Sequence, residues 1–180
     1  MLGLSALAEP TVPNPWVARA QQGDRAAFED MVRACQGRVL RTCLRLLGGS
    51  VEAQDVAQET FVKAFTHLDQ LDPQRSPLPW LTTVATRLCL NRIRSRQRAR
   101  EDELDEAFDA PVEEDWLRGE DQRRLQSALQ RLPDNSRAVL VLFYLEEWSC
   151  KEIAEALGLS ESNVKVLLHR GREKLRSLLC

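Results

Sequence analysis

The sequence predicts an all-α protein of two small helical domains joined by an acidic flexible linker, the C-terminal one containing a helix-turn-helix. Three observations predict it. No segment of the 180 residues sustains the period-two alternation of a half-buried strand, and Gly and Pro number only 8 each. Formal charge falls in three blocks: residues 1–100 carry 14 Lys/Arg against 9 Asp/Glu, residues 101–121 carry 1 against 11, and residues 122–180 carry 10 against 7. Two basic blocks thus flank an acidic strip whose density of like charge cannot fold alone. Finally, Ser149 to Leu175 reads as two helices around a tight turn. With 43% apolar residues, one ordinary domain or two small ones can bury a core.

In chain order, residues 1–14 read as a flexible N-terminal tail and residues 15–100 as the first domain. From Pro15 to about Gly48 come two helical patterns broken near Gly23-Asp24, the second placing Phe28, Met31, Val32, Cys35, Val39, Cys43, Leu46 and Leu47 on one face. Gly48-Gly49 ends it, and Ser50 is the expected cap of a helix over Val51–Leu68 that buries Ala57, Phe61, Ala64, Phe65 and Leu68. A loop over Asp69–Pro79 holds three prolines, and a long helix runs from Pro79 or Trp80 to about Arg100. Residues 101–118 form the linker, with Phe108 and Trp116 as occasional anchors. Residues 119–180 form the second domain: a helix near Asp121–Leu132, a break at Pro133-Asp134-Asn135-Ser136, a helix to about Glu147, and the two-helix motif.

Several classes of function are disfavoured. The five cysteines (Cys35, Cys43, Cys89, Cys150, Cys180) include no C-x-x-C pair and read as reduced core residues of a cytosolic protein. Only His67 and His169 are available, so no metal site is expected. No nucleophile–base pair or Gly-rich phosphate loop can be assembled, which argues against an enzyme or a bound cofactor. The N-terminus does not read as a signal peptide, and without an 18-residue apolar run no membrane contact is expected.

The two-helix motif points to DNA. Ser149 and Glu152 form a capping box, and Ile153, Ala154 and Leu157 share one face. Ala154 suits a close helix crossing, and Gly158 suits a left-handed helix end. Ser160 can cap the second helix, whose apolar stripe is Val164, Leu167, Leu168 and Leu175. Its other face carries Ser162, Asn163, Lys165, His169, Arg170 and Arg172, donors suited to bases and phosphates. A second basic element is the far half of the Trp80–Arg100 helix, where Arg87, Arg92, Arg94, Arg96, Arg98 and Arg100 occur without one acid. Such a helix end binds phosphate readily and complements the helix dipole.

Together these motifs resemble a known family. Phe28 to Arg98 is similar to the promoter-melting domain of a bacterial RNA polymerase sigma factor, and Leu132 to Leu178 to its promoter-binding C-terminal domain. The match is to the two-domain extracytoplasmic-function (ECF) group of the sigma-70 family. It rests on Asp55-Val-Ala-Gln-Glu-Thr-Phe-Val-Lys-Ala-Phe65, on Pro79-Trp-Leu-Thr-Thr-Val-Ala85 with the arginines after it, and on Leu132-Pro with Glu152-Ile-Ala and Val164-Lys. The ordered set covers about four-fifths of the chain.

The resemblance implies a sigma factor that binds core RNA polymerase and directs promoter-specific initiation. The exposed strip Asp55, Gln58, Glu59, Val62 and Thr66 would dock on the coiled coil of the largest polymerase subunit. The loop and helix after Leu71 would hold the non-template strand of the −10 element through Arg75, Ser76, Arg87, Asn91, Arg92, Arg94 and Arg98. Trp80 is either a buried anchor or a stacking platform, the first being favoured. The −35 element would be read by Ser162, Asn163, Lys165, Val166 and His169, with Arg170 and Arg172 on backbone phosphates. An anti-sigma factor is an implied partner. Ser162-Asn163, Val166, Arg87 and Asn91 depart from the common family residues, so promoter preference does not transfer. The linker is either a charged tether or a segment that threads a basic polymerase channel. A free-standing regulator would leave the Asp55 strip and the arginine helix unexplained, and a helical protein-interaction module would leave the helix-turn-helix unexplained.

Overall fold

The computed structural model describes residues 15–103 and 119–179, with only the backbone of 100–103. The tail 1–14, the anchors Phe108 and Trp116, and Cys180 lie outside the described residues. Every described element is helical: α1 Pro15–Gln21, α2 Arg25–Leu47, α3 Ser50–Thr66, a 3-10 turn Leu68–Gln70, α4 Leu78–Glu103, α5 Glu120–Gln130, α6 Asp134–Tyr144, α7 Cys150–Leu157 and α8 Glu161–Leu179.

Local chemistry sets the breaks. Asp24 is the N-cap of α2, its carboxylate accepting the Ala27 N–H at 3.1 Å and pairing with Arg19. These bonds hold the Asp24 carboxyl below its ordinary range, the Ala27 amide first among them. Gly48 closes α2 in the left-handed region, φ 83°, and a Cβ there would also meet the Gln130 side chain at 2.9 Å. The expected cap at Ser50 is displaced by one residue. Gly49 takes the extended N-cap conformation, makes no side-chain cap bond, and leaves Ser50 as the first helical residue. The third helix ends at Thr66, earlier than expected, and Leu68 opens the 3-10 turn; Gln21 fixes that turn by donating to the Leu68 and Leu71 carbonyls at 2.9 and 2.8 Å.

Helices α1 to α4 enclose one core around Val17, Met31, Val39, Leu46, Val56, Leu81, Cys89 and Ile93. Trp80 is half-buried against this core, in keeping with the anchor reading. Helices α5 to α8 enclose a second core around Leu129, Leu132, Leu142, Ile153, Val164 and Leu168. The units are not separate bodies, since Ala138 and Val141 of α6 and Leu157 of α7 pack into the first core. Among the described residues no helix is long and apolar enough to cross a membrane.

Some side chains expected in the core are less buried than that: Phe65 is exposed, and Leu167 and Leu175 are half-buried at the edge of the second core. Phe65 is 54% exposed and meets the Phe28 ring edge-on at 5.2 Å. It sits one residue before the end of α3, where it lines an open trough together with Phe28 of α2. In α8, Val164 and Leu168 are buried while Leu167 and Leu175 are only half-buried; Gly171 carries the closest contact. A Cβ at Gly171 would stand 2.9 Å from Leu140 Cδ1, so α6 and α8 touch almost backbone to side chain there.

Cys35, Cys43 and Cys89 are buried thiols, and Cys150 is half-buried. Burial pushes the Cys35 thiol up to about 11. Cys89 is raised by its hydrogen bond with Cys43, then by burial. Both stay protonated at neutral pH and are poor nucleophiles.

Candidate nucleic-acid interface

The recognition motif is assembled by caps that the sequence itself encodes. Ser149 Oγ accepts the Glu152 N–H at 3.3 Å while Glu152 Oε2 accepts the Ser149 N–H at 2.8 Å, closing the capping box. The Ser149 hydroxyl also donates to Glu152 Oε2 at 2.6 Å, and this bond first, then that from the Ser149 N–H, lowers the Glu152 pKa. Gly158, φ 66°, ends α7, and its N–H and that of Leu159 both close on the Ala154 carbonyl. Ser160 Oγ then accepts the Asn163 N–H at 3.2 Å and starts α8. Ile153 and Ala154 are buried against Val164 and Leu168, which turns the opposite face of α8 outward. Ser162, Asn163, Lys165, Val166, His169, Arg170 and Arg172 are all exposed on it, Val166 at 44%. Arg172 rests its guanidinium over Phe143 and Tyr144 at 5.5 and 5.6 Å from the ring centroids, contacts that sequence spacing does not reveal.

The second surface lies along α4. Leu81, Ala85, Cys89 and Ile93 point into the core, so Arg87, Asn91, Arg92, Arg94 and Arg98 emerge on the solvent side. Arg75 and Ser76 are exposed in the loop before α4, where Ser76 Oγ accepts the Leu78 N–H and Arg75 pairs with Asp72 at 3.4 Å. The arginines are not equivalent. Arg96 pairs with Glu52 at 3.0 Å and Arg92 lies 3.9 Å from Glu59, while Arg87 Nε donates to the Ala156 carbonyl of α7 at 2.8 Å.

The third surface lies on α3. Asp55, Gln58, Val62 and Thr66 are exposed and Glu59 is half-buried, as one helical strip requires. Beside this strip runs an apolar trough of about 800 Å³ between α2 and α3, lined by Phe28, Val32, Leu40, Phe61, Val62 and Phe65 among others. Sequence reasoning missed the trough because helical periodicity assigns the same aromatic side chains to the core. Glu59 and Arg92 join the second and third surfaces, so these form one continuous face. Among the described residues no group of three or more His, Cys, Asp or Glu could hold a metal.

Helical throughout the described residues, with a capped helix-turn-helix and an exposed arginine face, the fold is one that suits a DNA-binding protein of the initiation-factor class. Residues 31–99 match the family model described as Sigma-70 region 2, and residues 122–175 match Sigma-70, region 4. The chain is 34% identical over 182 residues to the ECF RNA polymerase sigma factor SigW of Bacillus subtilis, covering 91% of this chain and 94% of that one. Among solved structures, CnrH in complex with the cytosolic domain of CnrY matches with TM-score 0.66 and 31% identity, over 93% of this chain and 96% of that one. The sigma factor RpoE in complex with the anti-sigma factor NepR, from Bartonella quintana, shares the fold with TM-score 0.72 at 20% identity, over 84% and 96% of the two chains. The chain therefore belongs to the ECF sigma factors of the sigma-70 family. It is a promoter-recognising factor that directs transcription initiation.

Proposed function

We propose that three surfaces divide the work of initiation. Asp55, Gln58, Glu59 and Val62 dock on core RNA polymerase, with the neighbouring trough as the apolar part of the contact. Arg75, Ser76, Arg87, Asn91, Arg92, Arg94 and Arg98 hold the non-template strand of the −10 element. Ser162, Asn163, Lys165, Val166 and His169 read the −35 element, and Arg170 and Arg172 bind its phosphates. The division into residues 15–100, 101–118 and 119–180 belongs to the same reading. The chain catalyses no reaction of its own, works in the cytoplasm beside the polymerase, and is held in check by an anti-sigma factor, as RpoE of Bartonella quintana was solved with NepR.

The observation that carries this reading is the continuity of the α3 strip with the α4 arginine face, joined at Glu59 and Arg92. Polymerase bound on the strip would deliver melted DNA to the adjacent arginines. The basic face also supplies the sequence-independent attraction that makes strand capture salt-dependent. The test is transcription with core polymerase on a genomic promoter library. Asp55→Ala with Glu59→Ala is expected to lose core binding, and Lys165→Ala to lose protection of the −35 region while core binding persists. Undiminished core binding by the first variant, or an unaltered footprint with the second, removes the corresponding surface.

A further inference from the structure

Along α8, Arg172 is held differently from the next arginine. Arg176, one turn on, pairs with Glu173 at 2.9 Å. No carboxylate among the described residues pairs with Arg172. Its guanidinium lies instead over two rings at the end of α6, 5.5 Å from the Phe143 centroid and 5.6 Å from that of Tyr144. The rings themselves meet edge-on, with centroids 5.1 Å apart. Tyr144 is 56% exposed, although α6 is buried without a break from Ser136 to Leu142.

Close packing brings the rings and the arginine together. Gly171 lets α8 approach α6 so nearly that a Cβ would stand 2.9 Å from Leu140 Cδ1. Phe143 and Tyr144 follow Leu140 by three and four positions, the helical spacing of one face, and Arg172 follows Gly171 directly. Arg172 also lies seven residues after Lys165, which is two turns, or about 10.5 Å, farther along the same flank of α8. It therefore extends the flank that carries a base-reading cation.

The way a cation is held decides what it can still bind. A ring attracts a guanidinium through its π face and takes up none of its N–H donors. A carboxylate would occupy the same fork that a phosphate needs. Without either, a long side chain has to be ordered at the moment of binding, which weakens the contact. We propose that Phe143 and Tyr144 are positioning residues that hold the Arg172 guanidinium, with its donors open, for a phosphate of the −35 DNA. This deepens the reading in which Arg172 binds a −35 phosphate, and it rests on that reading.

The test is a double-mutant cycle on assembled holoenzyme, titrated against a promoter fragment recovered with the wild type. Tyr144→Leu keeps an apolar side chain but removes the ring, whereas Tyr144→Phe keeps the ring. Tyr144→Leu is expected to weaken binding about two- to fivefold, the scale of an exposed cation–π contact, and Tyr144→Phe to bind as the wild type does. Phe143→Leu is expected to shift affinity in the same direction. In an Arg172→Ala background, Tyr144→Leu should have no further effect. Arg172→Ala itself is expected to lower the salt slope by about 0.9, the contribution of one duplex phosphate. No loss from Tyr144→Leu, or an equal loss with and without Arg172, overturns the positioning role while the phosphate contact stands. A Tyr144→Leu defect confined to the binding of core polymerase, with promoter affinity of the assembled holoenzyme unchanged, overturns it as well. If Arg172→Ala leaves both affinity and salt slope at wild-type values, the phosphate reading of Arg172 fails and the positioning role falls with it.

Discussion

At the scale of single residues, backbone conformation and caps decide the turn that leads from α6 into α7. Glu147 is the only described non-glycine residue with positive φ, at 57°. A Cβ in the left-handed region costs about 1–2 kcal/mol, part of which a glycine there would recover and part lose again to its freer unfolded chain. Glu147→Gly is thus expected to stabilise the protein by about 0.5–1 kcal/mol in urea unfolding, and an unchanged midpoint would refute the strain. Two residues on, the capping box responds to pH. Because the folded state lowers the Glu152 pKa, the cap contributes above the ordinary glutamate value and is lost as pH falls through the lowered folded value. Ser149→Ala, expected to cost about 1 kcal/mol at neutral pH, should therefore cost less in acid; an equal loss at both pH values would mean that the carboxylate has no part in the cap. The capping box was legible from sequence because Ser149 and Glu152 lie three residues apart, whereas nothing local marked Glu147 for the left-handed region.

At the scale of elements, helical periodicity located the strip on α3 and the arginines on α4, but it could not rank them. Rank depends on which acid lies opposite, and those acids belong to α3. Glu52 engages Arg96 and Glu59 approaches Arg92, whereas Arg94 and Arg98 stand exposed on α4. A cation that exchanges a carboxylate for a phosphate gains less than one that exchanges only counterions. Arg94→Ala with Arg98→Ala is expected to reduce the salt slope for single-stranded −10 DNA by about 1.4, at about 0.7 per cation. Arg96→Ala should reduce it by less. Equal slopes for the wild type and the double variant would remove Arg94 and Arg98 from the strand path. The trough beside the strip was illegible for a related reason. Periodicity marks Phe61 and Phe65 as one apolar stripe, yet only the packing of α2 determines where the stripe leaves the core.

At the scale of the whole molecule, charge blocks and motif order predicted two helical units but not how they meet. The residues that join them have partners far away in sequence: Arg137 and Leu46 are 91 positions apart, and Glu146 and Thr42 are 104 apart. No local pattern announces such a pair, and a lone arginine in the apolar run of α6 reads as a helix residue like any other. Burial changes its meaning. With its side chain 7% exposed, Arg137 donates to Leu46 O, Gln130 Oε1, Leu132 O and Asp134 Oδ1. Burial lowers its pKa, opposed in part by the Asp134 carboxylate, and a guanidinium so bonded stays charged at neutral pH. Removing it strands acceptors on both sides of the interface at once, the more costly way to break a buried network. Arg137→Met, which retains much of the side-chain volume, is therefore expected to cost about 2–4 kcal/mol and to uncouple the units. Native-state hydrogen exchange should show amides of α5 to α8 losing more protection than those of α1 to α4, because Leu132 O and Asp134 lie in the second unit and only Leu46 O in the first. A uniform loss across all eight helices would mean that the interface, not the second unit, is what Arg137 chiefly supports. Unchanged protection in α5 to α8 would show that water replaces the guanidinium at no cost.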